Sequence, residues 1–213
     1  MSCFFVVVIM YNNGMAQEKN IVLPKPKTGG PVSLEEAIQK RRSIREYGPQ
    51  PLAIDKIGQL LWAAQGITSE EGAYPLRAAP SAGALYPIEV YVVNPQGVFL
   101  YNPEAHSLTL HKQGDHRLKL MQACLHQSFV AEAPVSILMC AVYERIMRKY
   151  GARGRMYTHI EAGHIAQNIH LQAVTLGLGS VPIGAFNAQE IKGDLGLPQD
   201  YEPIYVIPVG YPQ

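Results

Sequence analysis

The longest helical pattern in the sequence is the feature that most constrains the fold. It spans residues 159–176 and ends at Gly177 and Gly179, as expected where a helix stops. One side carries an apolar stripe formed by Ile165, Ala166, Ile169, Ala173 and Leu176. Another carries a polar but almost uncharged stripe formed by Glu161, His164, Asn168, Gln172 and Thr175. A solvated face usually carries lysine and glutamate, so both stripes predict contact with protein: a subunit interface, or a central core helix with satisfied polar groups.

Shorter patterns on both sides of this helix predict the remaining elements. Ser33 and Glu36 form a capping box that opens a helix over about 34–42, and helical spacing recurs over 54–66. Further helices are predicted over 117–125 and after Asn187. Strands are predicted at 90–93, 98–101, 108–110, 135–142, 181–186 and 204–209. Strands that cluster in mid-chain and late, with helices between them, indicate an α+β layered domain, not regular βαβ winding.

Composition narrows the class of protein. Of the 213 residues, 47% are apolar and 16% charged, and the net charge is +1, which argues against disorder and against a nucleic-acid surface. Cys3, Cys124 and Cys140 lie far apart, which excludes a C-x-x-C redox pair and a multi-cysteine zinc site. The histidines of the long helix, at 159, 164 and 170, miss the four-residue spacing of helical zinc ligands. We therefore expect no metal.

The first 31 residues are expected to be separate from the folded domain at 32–213. Residues 3–10 are apolar and residues 14–16 resemble a cleavage site, but no basic residue precedes them. A secretory-signal remnant and a mis-assigned start are both compatible with this pattern, so the compartment stays open. Residues 17–31 read as an extended arm. No other stretch is long and apolar enough to span a bilayer.

Three guanidinium groups and a hydroxyl occur together after the first helix, at Arg41, Arg42, Ser43 and Arg45. Guanidinium forks bind phosphate oxygens in bidentate fashion, and a serine hydroxyl adds a donor, so the group is suited to a phosphomonoester. Cations in a last helical turn also cap carbonyl groups and complement the helix dipole. The sequence alone leaves both interpretations open.

Two further segments have the composition of ligand-binding backbone. The first consists of small residues followed by an aromatic residue: Pro80, Ser81, Ala82, Gly83, Ala84, Leu85 and Tyr86. Backbone can approach a flat ring closely there, although a tight loop before a strand reads the same way. The second contains Pro182, Ile183 and Gly184, where the glycine could expose its N–H to a ligand, although a strand with glycine punctuation is equally compatible.

Taken together and in this order, the segments resemble the nitroreductase superfamily from about residue 33 to residue 212. The matching pieces are RRSIREY, PSAGALYP, EAGHIAQNIHLQAVTLGLGSVPIGAF and the terminal VIPVGYP. The segment PSAGALYPIEVYVV is most similar to the branch that includes thiazole- and oxazole-forming peptide dehydrogenases. The resemblance implies a nitroreductase-like fold, with a central, mostly antiparallel sheet flanked by helices and a long central helix at a dimer interface.

The resemblance also implies a homodimer that holds two FMN molecules between its subunits. Arg41, Arg42, Ser43 and Arg45 would hold the phosphate and ribityl chain, with Arg45 reaching the pyrimidine edge. Pro80, Ser81, Ala82, Gly83 and Ala84 would come from the partner subunit. Pro182, Ile183 and Gly184 would lie along the ring, with the Gly184 N–H near N5. No side chain is expected to be catalytic, because the flavin carries the chemistry while Arg45 and Gly184 assist electrostatically.

Two positions depart from the pattern of many relatives. Ala84 and Tyr86 stand where those relatives carry Asn and Gln, so side-chain hydrogen bonds to the ring are expected to be lost or supplied differently. A basic residue that many relatives place near the terminus for the phosphate is also lacking before Gln213. Weaker flavin binding is the expected consequence.

Three functions are compatible with these residues. The leading prediction is an FMN-dependent oxidoreductase that takes hydride from NADH or NADPH and passes two electrons to a nitroaromatic, quinone or similar small-molecule acceptor by a ping-pong scheme. An alternative is an FMN-dependent dehydrogenase that oxidises a heterocyclic, azoline-like substrate. A third is a flavin-binding or storage module without turnover.

Overall fold

The computed structural model describes residues 20–71 and 74–213. The apolar segment at 3–10, the cleavage-like residues 14–16 and Cys3 lie outside the described residues. The first described residues of the predicted arm form an edge strand of the main sheet.

A seven-stranded antiparallel sheet forms the centre of the domain, in the order β1-β6-β5-β4-β7-β9-β8. Its strands are β1 (Asn20–Val22), β4 (Ile88–Asn94), β5 (Gly97–Asn102), β6 (Ser107–Gln113), β7 (Val135–Ala141), β8 (Gly179–Ser180) and β9 (Glu202–Gly210). A separate hairpin-like pair is formed by β2 (Ile67–Ser69) and β3 (Leu76–Arg77). The predicted α+β class with a mostly antiparallel sheet is confirmed.

Helices cover both faces of this sheet. They are α1 (Leu34–Lys40), α2 (Ile54–Gln65), α3 (Arg117–Ala123), α4 (Phe129–Glu132), α5 (Tyr143–Tyr150), α6 (Arg153–Thr175) and α7 (Ala188–Leu195). Two of them begin at the predicted caps: Ser33 Oγ accepts a hydrogen bond from Glu36 N at 3.1 Å, and Asn187 Oδ1 accepts from Gln189 N at the same distance. These side chains satisfy backbone donors that the first helical turn leaves without partners.

Alternation along the central strands produces two cores, one on each side of the sheet. In β7, Ile137 and Met139 pack with α2 and α6, whereas Leu138 and Cys140 pack with α3, α4 and α7. Successive side chains of a strand point to opposite faces, so an unbroken apolar run is what a doubly covered strand requires. The VSILMCAV segment is therefore explained by its position in the middle of the sheet.

Three elements around α6 differ from the prediction. The long helix begins at Arg153, not at 159, and the helix α5 before it was not predicted. Gly151, at φ +55°, separates the two helices. The strand predicted at 181–186 is reduced to isolated pairing with β9: the Val181 N–H donates to the Pro208 carbonyl and Ile183 pairs with Val206, and Pro208 has no N–H to return a bond to Val181.

The polar stripe of α6 faces this chain's own helix α2 and adjoining loop. Glu161 accepts from Gln65, Gln172 from Gln59, and Asn168 Nδ2 donates to the carbonyl of residue 78. The prediction that this stripe faces another subunit was therefore wrong, except at His164, which is exposed. The exposed stripe of α6 is a different one, formed by Met156, Ile160, Gly163 and Gln167.

Candidate active site

The arginine-rich segment lies beside the strand that leads into Pro182. Helix α1 ends at Lys40, and the chain continues in an extended form in which Ser43 makes a parallel bridge with Ser180. The N–H of Ile44 donates to the Ser180 carbonyl at 3.1 Å. Two of the three segments identified in the sequence are thus adjacent within one chain.

The three guanidinium groups of this segment differ in their contacts. Arg42 Nη1 donates to the carbonyls of Gln39 and Arg41, at 2.9 and 2.7 Å, so it caps the end of α1. Arg45 is exposed and lies 5.9 Å from the ring centroid of Phe129. Within residues 20–71 and 74–213, no carboxylate forms an ion pair with any of the three. Their charge therefore has no acidic counterpart in the described part of the chain, and Ser43 is also exposed.

The segment from Pro182 to Gly184 presents open backbone. Ile183 exchanges both of its backbone hydrogen bonds with Val206, at 2.8 and 3.0 Å, which fixes the segment against the sheet. Gly184 follows as an exposed residue, and a Cβ added there would meet no atom within 4 Å. A flat ligand can therefore approach this backbone without displacing protein atoms.

The small-residue loop adopts a tight, partly left-handed conformation. Residues Ala82–Ala84 form a 3-10 turn in which Gly83 has φ +64° and Ala84 φ +53°. Tyr86 also lies in the left-handed region, at φ +45°. Left-handed backbone is unfavourable for residues with a Cβ, and it persists only where surrounding contacts hold it.

Those contacts come mainly from two arginines. The Arg145 guanidinium donates to the Tyr86 carbonyl and forms an ion pair with Glu89. The Arg77 guanidinium lies 4.3 Å from the Tyr86 ring centroid, and the Arg77 N–H donates to Tyr86 Oη at 3.1 Å. Tyr86, one of the two departures seen in the sequence, is therefore buried and supports the loop.

Lys149 and Tyr150 border this loop and were missed in the sequence. A Cβ added at Gly83 would lie 2.9 Å from both Lys149 Nζ and Tyr150 Oη, so the glycine is required by space as well as by backbone angle. Both residues belong to the unpredicted helix α5. Had that helix been predicted, its last turn would have indicated that both residues lie near the loop.

Two buried ionisable groups of α6 lie behind the binding segments. Burial raises the pKa of Glu161 to about 7, and Ser81, Gln65, Arg77 and Arg145 oppose that rise. Burial, and then the charge of Arg41, lowers the pKa of His170 to about 4. His170 Nδ1 is 2.6 Å from Ser180 Oγ. Both residues were visible in the sequence only as polar positions of a helix.

The loop at residues 80–84 and the arginine-rich segment lie towards different ends of α6. Glu161 adjoins the loop and His170 adjoins Ser180, and nine residues of helix separate them by roughly 13 Å. Within one chain, no contact is seen between the loop and Arg41, Ser43 or Gly184 among the described hydrogen bonds and ion pairs. The contribution of this loop from a partner subunit stays a prediction.

In the described residues, no group of three or more His, Cys, Asp or Glu side chains is arranged to hold a metal ion. Cys124 and Cys140 are buried thiols, and burial raises the pKa of both, which disfavours the reactive thiolate. Of the helices described, none has the length and apolar character needed to cross a membrane.

Comparison with known proteins gives a consistent result. The sequence pattern of the nitroreductase family matches residues 38–211. A nitroreductase-like protein of Methanocaldococcus jannaschii is 43% identical over 187 residues, which is 84% of this chain and 91% of that protein. The FMN reductase (NAD(P)H) of Bacillus subtilis is 25% identical over 191 residues, covering 83% and 65%. A crystal structure of a nitroreductase-like protein from Ralstonia eutropha superposes with a TM-score of 0.83 at 32% identity, covering 92% and 90%.

Proposed function

The chain belongs to the nitroreductase family and is an oxidoreductase, and from this we propose that it binds FMN and transfers electron pairs from NADH or NADPH to a small acceptor such as a nitroaromatic or a quinone. One observation carries the proposal. Arg42 and Arg45 are exposed and form no ion pair with a described carboxylate, and the backbone at Gly184 is open to a ligand. The FMN reductase among its relatives supports the choice of cofactor.

The phosphate end of the cofactor is assigned to Arg41, Arg42, Ser43 and Arg45. Exposed guanidinium groups with no competing carboxylate are suited to a phosphate, which accepts charge-assisted, bidentate hydrogen bonds. Arg42 keeps its role as a helix cap, so it contributes mainly charge. Arg45 is the freest of the three to reach a ligand, and its charge would stabilise negative charge on the flavin.

The ring is assigned to Pro182, Ile183 and Gly184. Ile183 is fixed by its two bonds to Val206, so the Gly184 backbone is held rigidly while its face is open. An N–H presented in this way can donate to a ring nitrogen without any rearrangement, which is the preorganisation that electrostatic catalysis requires. When bound, FMN supplies hydride transfer in two half-reactions, and the chain supplies binding, orientation and electrostatics.

A second copy of the chain completes the proposed site. The stripe Met156, Ile160, Gly163 and Gln167 on α6 is exposed, with Met156 and Ile160 at 53% and 50%. Neighbouring α1 exposes Leu34 and Ile38 as well. Large exposed apolar side chains on adjacent helices favour an interface between protomers. In that dimer, the loop residues Pro80, Ser81, Ala82, Gly83 and Ala84 of one protomer are proposed to cover the flavin bound by its partner.

A second candidate reaction is the oxidation of a heterocyclic, azoline-like substrate. The position of Lys149 and Tyr150 against Gly83 favours it, because removal of hydride from such a substrate also releases a proton, which the Tyr150 hydroxyl beside the loop can pass on to water while the Lys149 charge orients the substrate. Lys149 is exposed and Tyr150 is half-buried, so both can meet a substrate at the loop.

Absorption spectroscopy and turnover together test the proposal. The purified chain, incubated with FMN and desalted, is expected to keep about one flavin per chain, and NADH or NADPH is expected to bleach it under anaerobic conditions. Addition of a nitroaromatic should restore the absorption. Bleaching by an azoline substrate but not by either nicotinamide would favour the second candidate, and a chain that binds no FMN would refute both.

A further inference from the structure

A buried polar cluster lies directly behind the small-residue loop. Glu161 on α6 is 2% exposed, and Gln65 on α2 is 1% exposed. Gln65 Nε2 donates to Glu161 Oε1 at 3.2 Å, and Arg77 Nη1 lies 3.5 Å from Gln65 Oε1. Glu161 Oε2 has no hydrogen-bond partner among the described residues. An incompletely paired carboxyl in a core is costly, which indicates that its position serves something other than stability.

Ser81 connects this cluster to the loop. Its hydroxyl lies beside the Glu161 carboxyl and favours the ionised form of that group. The same oxygen accepts a hydrogen bond from the Tyr86 N–H at 2.9 Å, across the left-handed turn. A hydroxyl has a single proton, so Ser81 can direct that proton to the unpaired Glu161 Oε2 while its lone pairs accept from Tyr86.

We propose that Glu161 is a positioning residue for the flavin site: through Ser81 it holds the small-residue loop in its left-handed turn, and it does so as a carboxylate, which makes flavin binding depend on its protonation. A neutral carboxyl is a weaker acceptor from Ser81 and adds a competing donor. The loop then loses one of the contacts that maintain its strained backbone. The inference rests on the proposed role of this loop in holding FMN.

Three elements besides the loop place polar groups against Glu161. Arg77 of β3 and Arg145 of α5 both favour the ionised form, and Gln65 of α2 is a neutral donor. Arg145 is itself paired with Glu89 of β4, which reduces its influence. On α6, the next polar residue along the stripe, His164, is exposed. Burial exceeds these effects, so the pKa of Glu161 is about 7 and its titration falls in the neutral range.

The test is the pH dependence of FMN affinity, measured by flavin fluorescence between pH 6 and pH 8. The dissociation constant of the wild-type chain should fall as the pH rises. In Glu161→Gln, the fall over the same range should be about tenfold smaller. FMN phosphate titrates in the same range in both proteins, so the difference between them isolates Glu161. Ser81→Ala should lose the same component, and the double variant should lose no more than either single one.

Gln172→Ala is the matched control, because it removes a half-buried amide partner from the α2–α6 contact without touching the loop. It should keep the wild-type pH profile. If Glu161→Gln binds FMN with the wild-type profile, the inference is wrong while the proposed function stands. If the wild-type chain binds no FMN at any pH, the proposed function itself is wrong. Ser81→Ala provides a second test should Glu161→Gln fold poorly. If Ser81→Ala binds FMN with the wild-type pH profile, Ser81 does not link Glu161 to the loop, and the inference is overturned.

Discussion

Replacement of Glu161 by glutamine should change how the stability of the folded chain depends on pH. Burial raises the pKa of this carboxyl from 4.5 to about 7. Between these values the folded chain retains a proton that the unfolded chain has released. The free energy of unfolding therefore falls as the pH rises, by about 1.4 kcal/mol per pH unit, until the carboxyl ionises in the folded chain as well.

Glutamine does not titrate, so the variant does not lose this stability. Relative to the wild type, its free energy of unfolding should therefore increase as the pH rises. The expected relative gain between pH 5 and pH 7.5 is about 2–3 kcal/mol, as an upper value for a side chain that is 2% exposed. Urea unfolding at both pH values measures it. Comparison of the two proteins is essential because His170 acts in the opposite direction. Its pKa is lowered from 6.5 to about 4, so the folded chain loses stability as the pH falls through that range.

The His170 contribution is the same in both proteins and cancels in the difference. Glu104→Gln, which removes an exposed carboxyl, is the control and should leave the difference from wild type flat across the same range. A Glu161→Gln variant whose stability differs from wild type by the same amount at pH 5 and pH 7.5 would refute the assignment of a buried carboxyl with a raised pKa.

Three further substitutions test the surroundings of the site. Gly83→Ala should cost about 1–2 kcal/mol in urea unfolding and weaken FMN binding, because its left-handed backbone disfavours a Cβ that would meet Lys149 and Tyr150; unchanged stability would contradict the described turn. Ser180→Ala should cost about 1–3 kcal/mol, since it leaves His170 Nδ1 buried without its partner; an unaltered unfolding midpoint would contradict that pairing. Lys149→Gln should slow oxidation of an azoline-like substrate but spare reduction of nitroaromatics by NADPH, and equal losses in both assays would count against a role specific to the azoline-like substrate.

Much of the fold was predictable because the pattern of side chains is local. The apolar run in β7 and the alternation on both sides of it require a doubly covered sheet. Caps at Ser33 and Asn187 fix the starts of two helices. These features depend on neighbours in the chain, which a sequence displays directly.

The errors arose where the decisive contact is distant in sequence. The polar stripe of α6 looked like an interface because its partners, such as Gln65 and Gln59 on α2, lie about a hundred residues earlier. Helix α5 was missed because two glycines, Gly151 and Gly154, follow it and resemble a loop. The candidate site was predicted in parts: Ser43 lies beside Ser180, three residues before Ile183, whereas the contribution of the small-residue loop from a second chain stays a prediction.

Arginine at position 45 provides the most direct test of the central claim that the segment after α1 grips the phosphate of FMN. FMN titration of Arg45→Glu should show a dissociation constant raised at least tenfold, since an exposed cation without a carboxylate partner becomes an anion facing a phosphate. Lys25→Glu makes the same change of charge at an exposed position in the arm and should leave the affinity within about twofold of wild type. Equal affinities for wild type and Arg45→Glu would contradict the account.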